Sequence, residues 1–236
     1  MITSDIDCYS LGGMESLNAK DTTICMGASI RMGHGAQKVF DRFGEDRRAV
    51  AVIGDSTFFH TGMNSLLQVV YNRSNTITCI LDNRITGMNG HQENPGTGFT
   101  LQGMPTKIVD IETVVRALGV DQVKVVNPIK LDEMKAAIEW TMGLDEPSVI
   151  ITRWACVLKK FSEHDKQEFG NYMGKCIVDV ENCIGCKMCV KTCCPALRFD
   201  KATKIVEIDK NQCVACKVCL QVCPQVQYWV LAAAVV

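Results

Sequence analysis

The hydrophobic positions of this chain change period several times, and each change marks an element. Residues 48–53 form a run built on β-branched side chains that stops at Gly54 and Asp55, which reads as a strand. Residues 60–71 switch to helical spacing, with Met63, Leu66, Leu67 and Val70 on one face. A second apolar run, 76–81, is broken by Asp82 and Asn83. Residues 110–118 read as a helix, 122–126 as a strand, 131–142 as a helix and 148–152 as a buried strand. This alternation predicts an α/β fold, a parallel sheet with helices on both faces.

Two other stretches lack a period. Residues 83–105 are rich in Gly, Asn and Thr and read as a long functional loop. Residues 158–174 are polar and charged and read as a linker. The expected organisation is therefore an α/β domain over 1–157, a linker over 158–174 and a small α+β module over 175–236.

Composition sharpens this picture. An apolar fraction of 47% is enough for a packed core. With 25 basic and 26 acidic residues the net charge is −1, so neither nucleic acid nor an anionic membrane is expected as a partner. Residues 1–20 carry Asp5, Asp7 and Glu15 and no apolar run, unlike a signal peptide. No apolar stretch reaches the roughly 18 residues of a membrane span, and the longest candidate, 228–236, is a short tail. Of 14 cysteines, nine lie from Cys183 to Cys223 at metal-site spacing, which favours reduced thiols in the cytoplasm over disulfides.

Those cysteines form an internal repeat about 30 residues apart. Cys183, Cys186 and Cys189 are followed by Cys193, Cys194 and Pro195; Cys213, Cys216 and Cys219 are followed by Cys223 and Pro224. Soft thiolates at this tight spacing wrap three corners of a cubane, and the fourth ligand comes from the other run. The expected sets are Cys183, Cys186, Cys189 and Cys223 for one [4Fe–4S] cluster, and Cys213, Cys216 and Cys219 with Cys193 or Cys194 for the other. Cys194 is favoured because proline follows it. A zinc ribbon would use two Cys-x2-Cys pairs per metal, which this pattern does not offer. Cys8, Cys25, Cys79, Cys156 and Cys176 lie outside the repeat, and most are expected to act as small buried hydrophobes.

The strand ends hold a second constellation. Asp55 and Asn83, about 28 residues apart, each follow a strand, so both face the carboxyl edge of the sheet, where ligands sit. A carboxylate and an amide oxygen suit Mg²⁺ that keeps other positions for phosphate oxygens. Gly54 admits close backbone approach to a diphosphate, and the helix opening at 56–60 offers amide hydrogens to it.

Gly54-Asp55-Ser56 with Asn83 resembles the signature of thiamine-diphosphate enzymes. The segments 25–30, 54–60, 81–88, 90–92 and 95–98 resemble, more narrowly, the alpha subunit of indolepyruvate:ferredoxin oxidoreductase, in which two ferredoxin-type clusters follow this domain. The resemblance implies a thiamine-diphosphate-binding fold plus a two-cluster ferredoxin-like domain. It implies Asp55, Asn83 and the Ile85 carbonyl as Mg²⁺ ligands. Gly54, Ser56 and Thr57 would meet the diphosphate, and Cys25, Met26 and Gly27 the thiazolium and aminopyrimidine. Thr86, Gly87 and Met88 would sit in a loop closing over the diphosphate. His60 and His91 are candidate bases, though loop hydrogen bonding is the simpler role for each. His34 is a candidate for the substrate pocket, and Met32 and Met88 for packing near the cofactor.

The implied activity is oxidative decarboxylation of a 2-oxo acid, with single electrons passing to the clusters and on to ferredoxin, and coenzyme A collecting the acyl group. The activating glutamate of thiamine enzymes belongs to a pyrimidine-binding domain for which this chain has no room. The chain alone is therefore expected to be inactive, either as a split subunit completed by a separate pyrimidine-binding subunit or as a truncated product. A plain electron-transfer protein, and a pyruvate or 2-oxoglutarate oxidoreductase, are the competing readings. Exposed low-potential clusters would make the protein oxygen-sensitive. The tail, 225–236, departs from the family and puts its final strand in doubt.

Overall fold

Strands buried on both faces carry apolar side chains at nearly every position, and the central strands here do so. A computed structural model describes residues 1–15, 17–170 and 174–229. It begins with β1 (Ile2–Ser4), a 3₁₀ turn (Cys8–Gly13), β2 (Thr22–Thr23), α1 (Ser29–Phe43) and β3 (Val50–Gly54). After β3 come α2 (Asp55–Thr57), a π-helical turn (Phe58–Gly62) and α3 (Met63–Tyr71). Then follow β4 (Ile77–Asp82), α4 (Ile111–Ala117), β5 (Gln122–Val126), α5 (Leu131–Met142) and β6 (Ser148–Arg153).

Among the described residues, these six strands form one parallel sheet in the order β2-β1-β3-β4-β6-β5. On one face Ala51, Ile53, Ile80, Val149 and Ile151 pack against Ile30 of α1, Leu66 and Val69 of α3, and Ile111 and Val115 of α4. On the other, Ile77 and Ile150 pack with Ala137 of α5. Each fully buried side chain of this size contributes on the order of 1.5–3 kcal/mol. No helix among the described residues is long and apolar enough to cross a membrane.

Several elements differ from the sequence expectation, and β1, β2 and α1 were not expected at all. The helix expected from residue 60 starts directly at the end of β3, and a π-helical turn carries it into α3. The segment read as a linker contains α6 (Glu163–Phe169), because Ser162 and Asp165 form a reciprocal capping box. The doubted final strand is present: β10 (Val226–Trp229) pairs antiparallel with β7 (Lys175–Val178). Residues 230–236 of the tail lie outside the described residues. Backbone contacts divide the chain into one unit of Met1–Pro128 with Asp132–Lys160 and a second of Phe161–Val236 with Ile129–Leu131.

The start of α1 is set from a distance. Ala28 at its N-cap has no side chain to accept a hydrogen bond. Asp5, wholly buried just after β1, accepts from the amides of Gly27 (2.9 Å) and Ser29 (2.7 Å) instead. Replacing Asp5 with Ala leaves two buried donors unpaired and should lower unfolding free energy by about 2 kcal/mol. Equilibrium urea unfolding checks this, with Asp5→Asn expected to lose less.

Candidate functional site

The carboxyl ends of three neighbouring strands, β1, β3 and β4, open on one cleft. The β1 end supplies Ile6, Asp7 and Cys8; the β3 end supplies Gly54, Asp55, Ser56 and Thr57; the β4 end supplies Leu81, Asn83, Ile85, Thr86, Gly87, Met88 and Asn89. Met26 also lines it. At Gly54 a Cβ would point at Asp7 Oδ2, 3.6 Å away, and at Gly87 it would meet Cys8 Sγ at 3.6 Å. The two glycines thus leave open the space that side chains would take up.

Asp55 is almost fully buried. Its Oδ1 accepts from the Ser56 amide at 2.6 Å, while Oδ2 is buried without a well-formed hydrogen bond. Burial, with repulsion from Asp82, pushes its carboxyl up to about 7, against the pull of the Ser56 amide, the Asn94 side chain and the Ile85 amide. Burial also pushes Asp7 up to about 6, with Asp5 adding repulsion, and its Oδ2 is buried without a partner as well. Asp82 differs: Arg153 meets it at 2.7 Å and Arg84 at 3.2 Å, and Arg153 also reaches Asp110 at 2.9 Å.

The same arginines anchor the loop after β4. Trp154 and Cys156 donate amide hydrogens to the carbonyls of Asp82 and Asn83, and the Lys159 ammonium donates to the carbonyl of Arg84 at 3.0 Å. Asn83 Oδ1 accepts from the Ile85 amide at 3.1 Å, turning the chain sharply. Thr86 Oγ1 donates to Ser56 Oγ at 2.8 Å, joining the ends of β3 and β4. Thr86 and Gln92 then pair through both backbone hydrogen bonds.

The structure thus gathers Met26, Gly54, Asp55, Ser56, Thr57, Asn83, Ile85, Thr86, Gly87 and Met88. Cys25, Gly27, Met32, His34, His60 and His91 are not among the lining residues. Gly27 instead serves the Asp5 contact, and burial lowers the His34 imidazole within α1. Sequence reasoning missed Asp7 and Cys8, which follow a strand of three residues, too short to show a period. Their signal was the Asp5-x-Asp7 spacing directly after it.

The donor set suits a Mg²⁺-bound diphosphate. A buried carboxylate oxygen with no partner, an amide side chain beside it and glycine-floored space are what such a group requires.

The second unit repeats one pattern twice. The Cys183–Cys186–Cys189 loop follows β7, and the Cys213–Cys216–Cys219 loop follows β9 (Val206–Ile208), which pairs with β8 (Leu197–Phe199). Cys223 ends α7 (Val218–Val222) just before β10. In both loops the residues flanking the middle cysteine are left-handed: Gly185 and Lys187 at φ 64° and 61°, Ala215 and Lys217 at φ 60° and 64°. Such turns aim successive amides at one point and suit anionic sulfur clusters. Gly185 has no substitute, since a Cβ there would strike the Lys204 carbonyl at 2.3 Å.

Cys183, Cys186, Cys189 and Cys223 line one cavity. Burial pushes the Cys216 thiol up, with Cys194 and Cys213 adding to it. Cys194 packs with the buried core of this unit, whereas Cys193 is exposed, with Sγ 3.6 Å from the Lys191 carbonyl. Among the described residues no three acidic, His or Cys side chains gather closely enough to hold a single metal ion. A cubane asks for something different, since each of its four thiolates binds a separate iron.

Asp7 and Asp55 both have folded values above the ordinary 3.8, so each favours the fold while protonated. That contribution is complete below about pH 4 and is lost as pH rises through 6 and then 7. Thermal unfolding in chelator, without cofactor, should therefore occur at lower temperature at about pH 8 than at about pH 5. Asp55→Asn should flatten the upper part of that dependence.

Comparison with known proteins agrees with this geometry. Residues 7–152 match the family described as thiamine pyrophosphate enzyme, C-terminal TPP binding domain. The chain is 41% identical over 216 residues to indolepyruvate oxidoreductase subunit IorA of Pyrococcus horikoshii, covering 87% of this chain and 33% of that one. It is 41% identical over 202 residues to IorA of Archaeoglobus fulgidus, covering 84% and 31%. The chain thus spans about a third of the length of the curated relatives it matches. A solved 2-oxoglutarate:ferredoxin oxidoreductase from Magnetococcus marinus shares the fold, with a TM-score of 0.59 and 15% identity over 71% of this chain and 58% of that one. The likeness to the C-terminal portion of the indolepyruvate oxidoreductase alpha subunit, read from residues 25–98, is borne out by these relatives. The chain belongs to the thiamine pyrophosphate enzymes, whose C-terminal TPP-binding domain it carries at residues 7–152.

Proposed function

We propose that this chain is the diphosphate-binding and electron-relaying portion of an indolepyruvate:ferredoxin oxidoreductase, an enzyme that converts an aryl 2-oxo acid to its acyl-CoA and carbon dioxide. The observation that carries the proposal is the buried, unpartnered Asp55 Oδ2 beside Asn83 at the ends of adjacent parallel strands. The match over residues 7–152 and the IorA relatives support it. A pyrimidine-binding partner, coenzyme A and ferredoxin complete the proposed system, in a cytoplasm poor in oxygen.

Asp55, Asn83 and the Ile85 carbonyl hold Mg²⁺ in this reading, and Mg²⁺ relieves the buried charge of Asp55. Ser56 and Thr57 face the diphosphate at the opening of α2, and Thr86 keeps its loop against Ser56. Met26 walls one side of the cleft. When bound, thiamine diphosphate supplies the electron sink for loss of carbon dioxide from the 2-oxo acid. Cys183, Cys186, Cys189 and Cys223 hold one [4Fe–4S] cluster, and Cys194, Cys213, Cys216 and Cys219 the other. The proline after Cys194 and the exposure of Cys193 support that choice.

Calorimetric titration of the purified chain with thiamine diphosphate and Mg²⁺ tests the binding half. Asp55→Ala should weaken binding by roughly 100-fold or more, about 3 kcal/mol. With the missing partner supplied, indolepyruvate-dependent ferredoxin reduction should appear and should vanish in Asp55→Ala. Reversible cluster reduction in a chain indifferent to thiamine diphosphate would favour a plain electron-transfer protein instead.

A further inference from the structure

The internal repeat relates two wall positions that the cysteine pattern does not include. Val206 in β9 lies seven residues before Cys213, and Cys176 in β7 lies seven residues before Cys183. Both are about 1% exposed. Each strand residue faces the cysteines of the opposite set. Val206 lines the cavity of Cys183, Cys186, Cys189 and Cys223. Cys176 sits against Cys213 and Cys219, with Cys216 close by. Its backbone amide donates to Cys213 Sγ at 3.4 Å, and its side chain is buried in one cluster with Cys213 and Cys219. One cysteine set therefore has an aliphatic wall, and the other a wall with a sulfur that can donate a proton.

We propose that Cys176 is a positioning residue that donates hydrogen bonds to the thiolates of the Cys194–Cys213–Cys216–Cys219 cluster and holds that cluster at a higher reduction potential than its neighbour. This rests on the cluster assignment given above. The four thiolates of a cubane already carry its full ligand set, so a fifth sulfur buried among them serves best as a neutral S–H. Reduction adds negative charge to the cluster, and donors aimed at its sulfurs stabilise that charge, which raises the potential. Val206 offers the other cluster no such donor. The two relay stations are thereby made unequal, with the electron resting on the cluster beside Cys176.

The test is an anaerobic redox titration of the iron-loaded full chain, followed by electron paramagnetic resonance, on wild type, Cys176→Val and Cys176→Ser. Cys176→Val makes the two walls alike. It should keep the full iron content and move one of the two midpoints to lower potential, towards the other, which stays in place. Cys176→Ser, which keeps a donor, should restore most of the separation. Unchanged midpoints in Cys176→Val would overturn the proposal. So would loss of one cluster's iron in that variant, because Cys176 would then be a ligand. Wild-type chain that takes up no iron would overturn the cluster assignment along with it.

Discussion

Four carboxylates crowd the carboxyl edge of this sheet, and the protein gives partners to both oxygens of only two of them. Asp5 is satisfied by two amides at the start of α1, and Asp82 by Arg153 and Arg84. Asp7 and Asp55 are left with a buried oxygen each and nothing to meet it. A parallel sheet makes this crowding unavoidable, because all its strands deliver their following residues to the same side. The two fully partnered acids build the frame, and the two others define where an external positive charge is wanted.

The frame is economical in where it places its restraints. The arginines that neutralise Asp82 sit on the loop after β4 and at the end of β6, so one charge cluster fixes both. The Thr86–Ser56 hydrogen bond then ties that loop across to the end of β3. Asn83 spends its own amide oxygen on the turn at Ile85, so the geometry at the cleft is held by side chains that also shape the backbone.

Legibility in the sequence followed burial. The runs at 48–53, 76–81 and 148–152 were readable because both of their faces are covered, which demands apolar residues at nearly every position. β1 and β2, of three and two residues, left no period to detect, and Asp5 and Asp7 went unread with them. α1 escaped because its apolar residues are sparse, Gly33 and Gly35 interrupt it, and its start is capped by a residue 23 positions before Ala28. The cysteine repeat was plain from spacing alone. Cys176 was read as a small hydrophobe because its role depends on a fold-related position across the repeat, which no local pattern reveals.

The pairing of β7 with β10 has a consequence for biosynthesis. Among the described residues, the first strand of the small unit finds its hydrogen-bonded neighbour in the last one, about 50 residues later. Until a ribosome has released nearly the whole segment, β7 is an open edge with reactive sulfur behind it. Nascent chains stalled before Val226 would expose that edge to other copies, and synthesis of β10 is the step that protects the unit from aggregation.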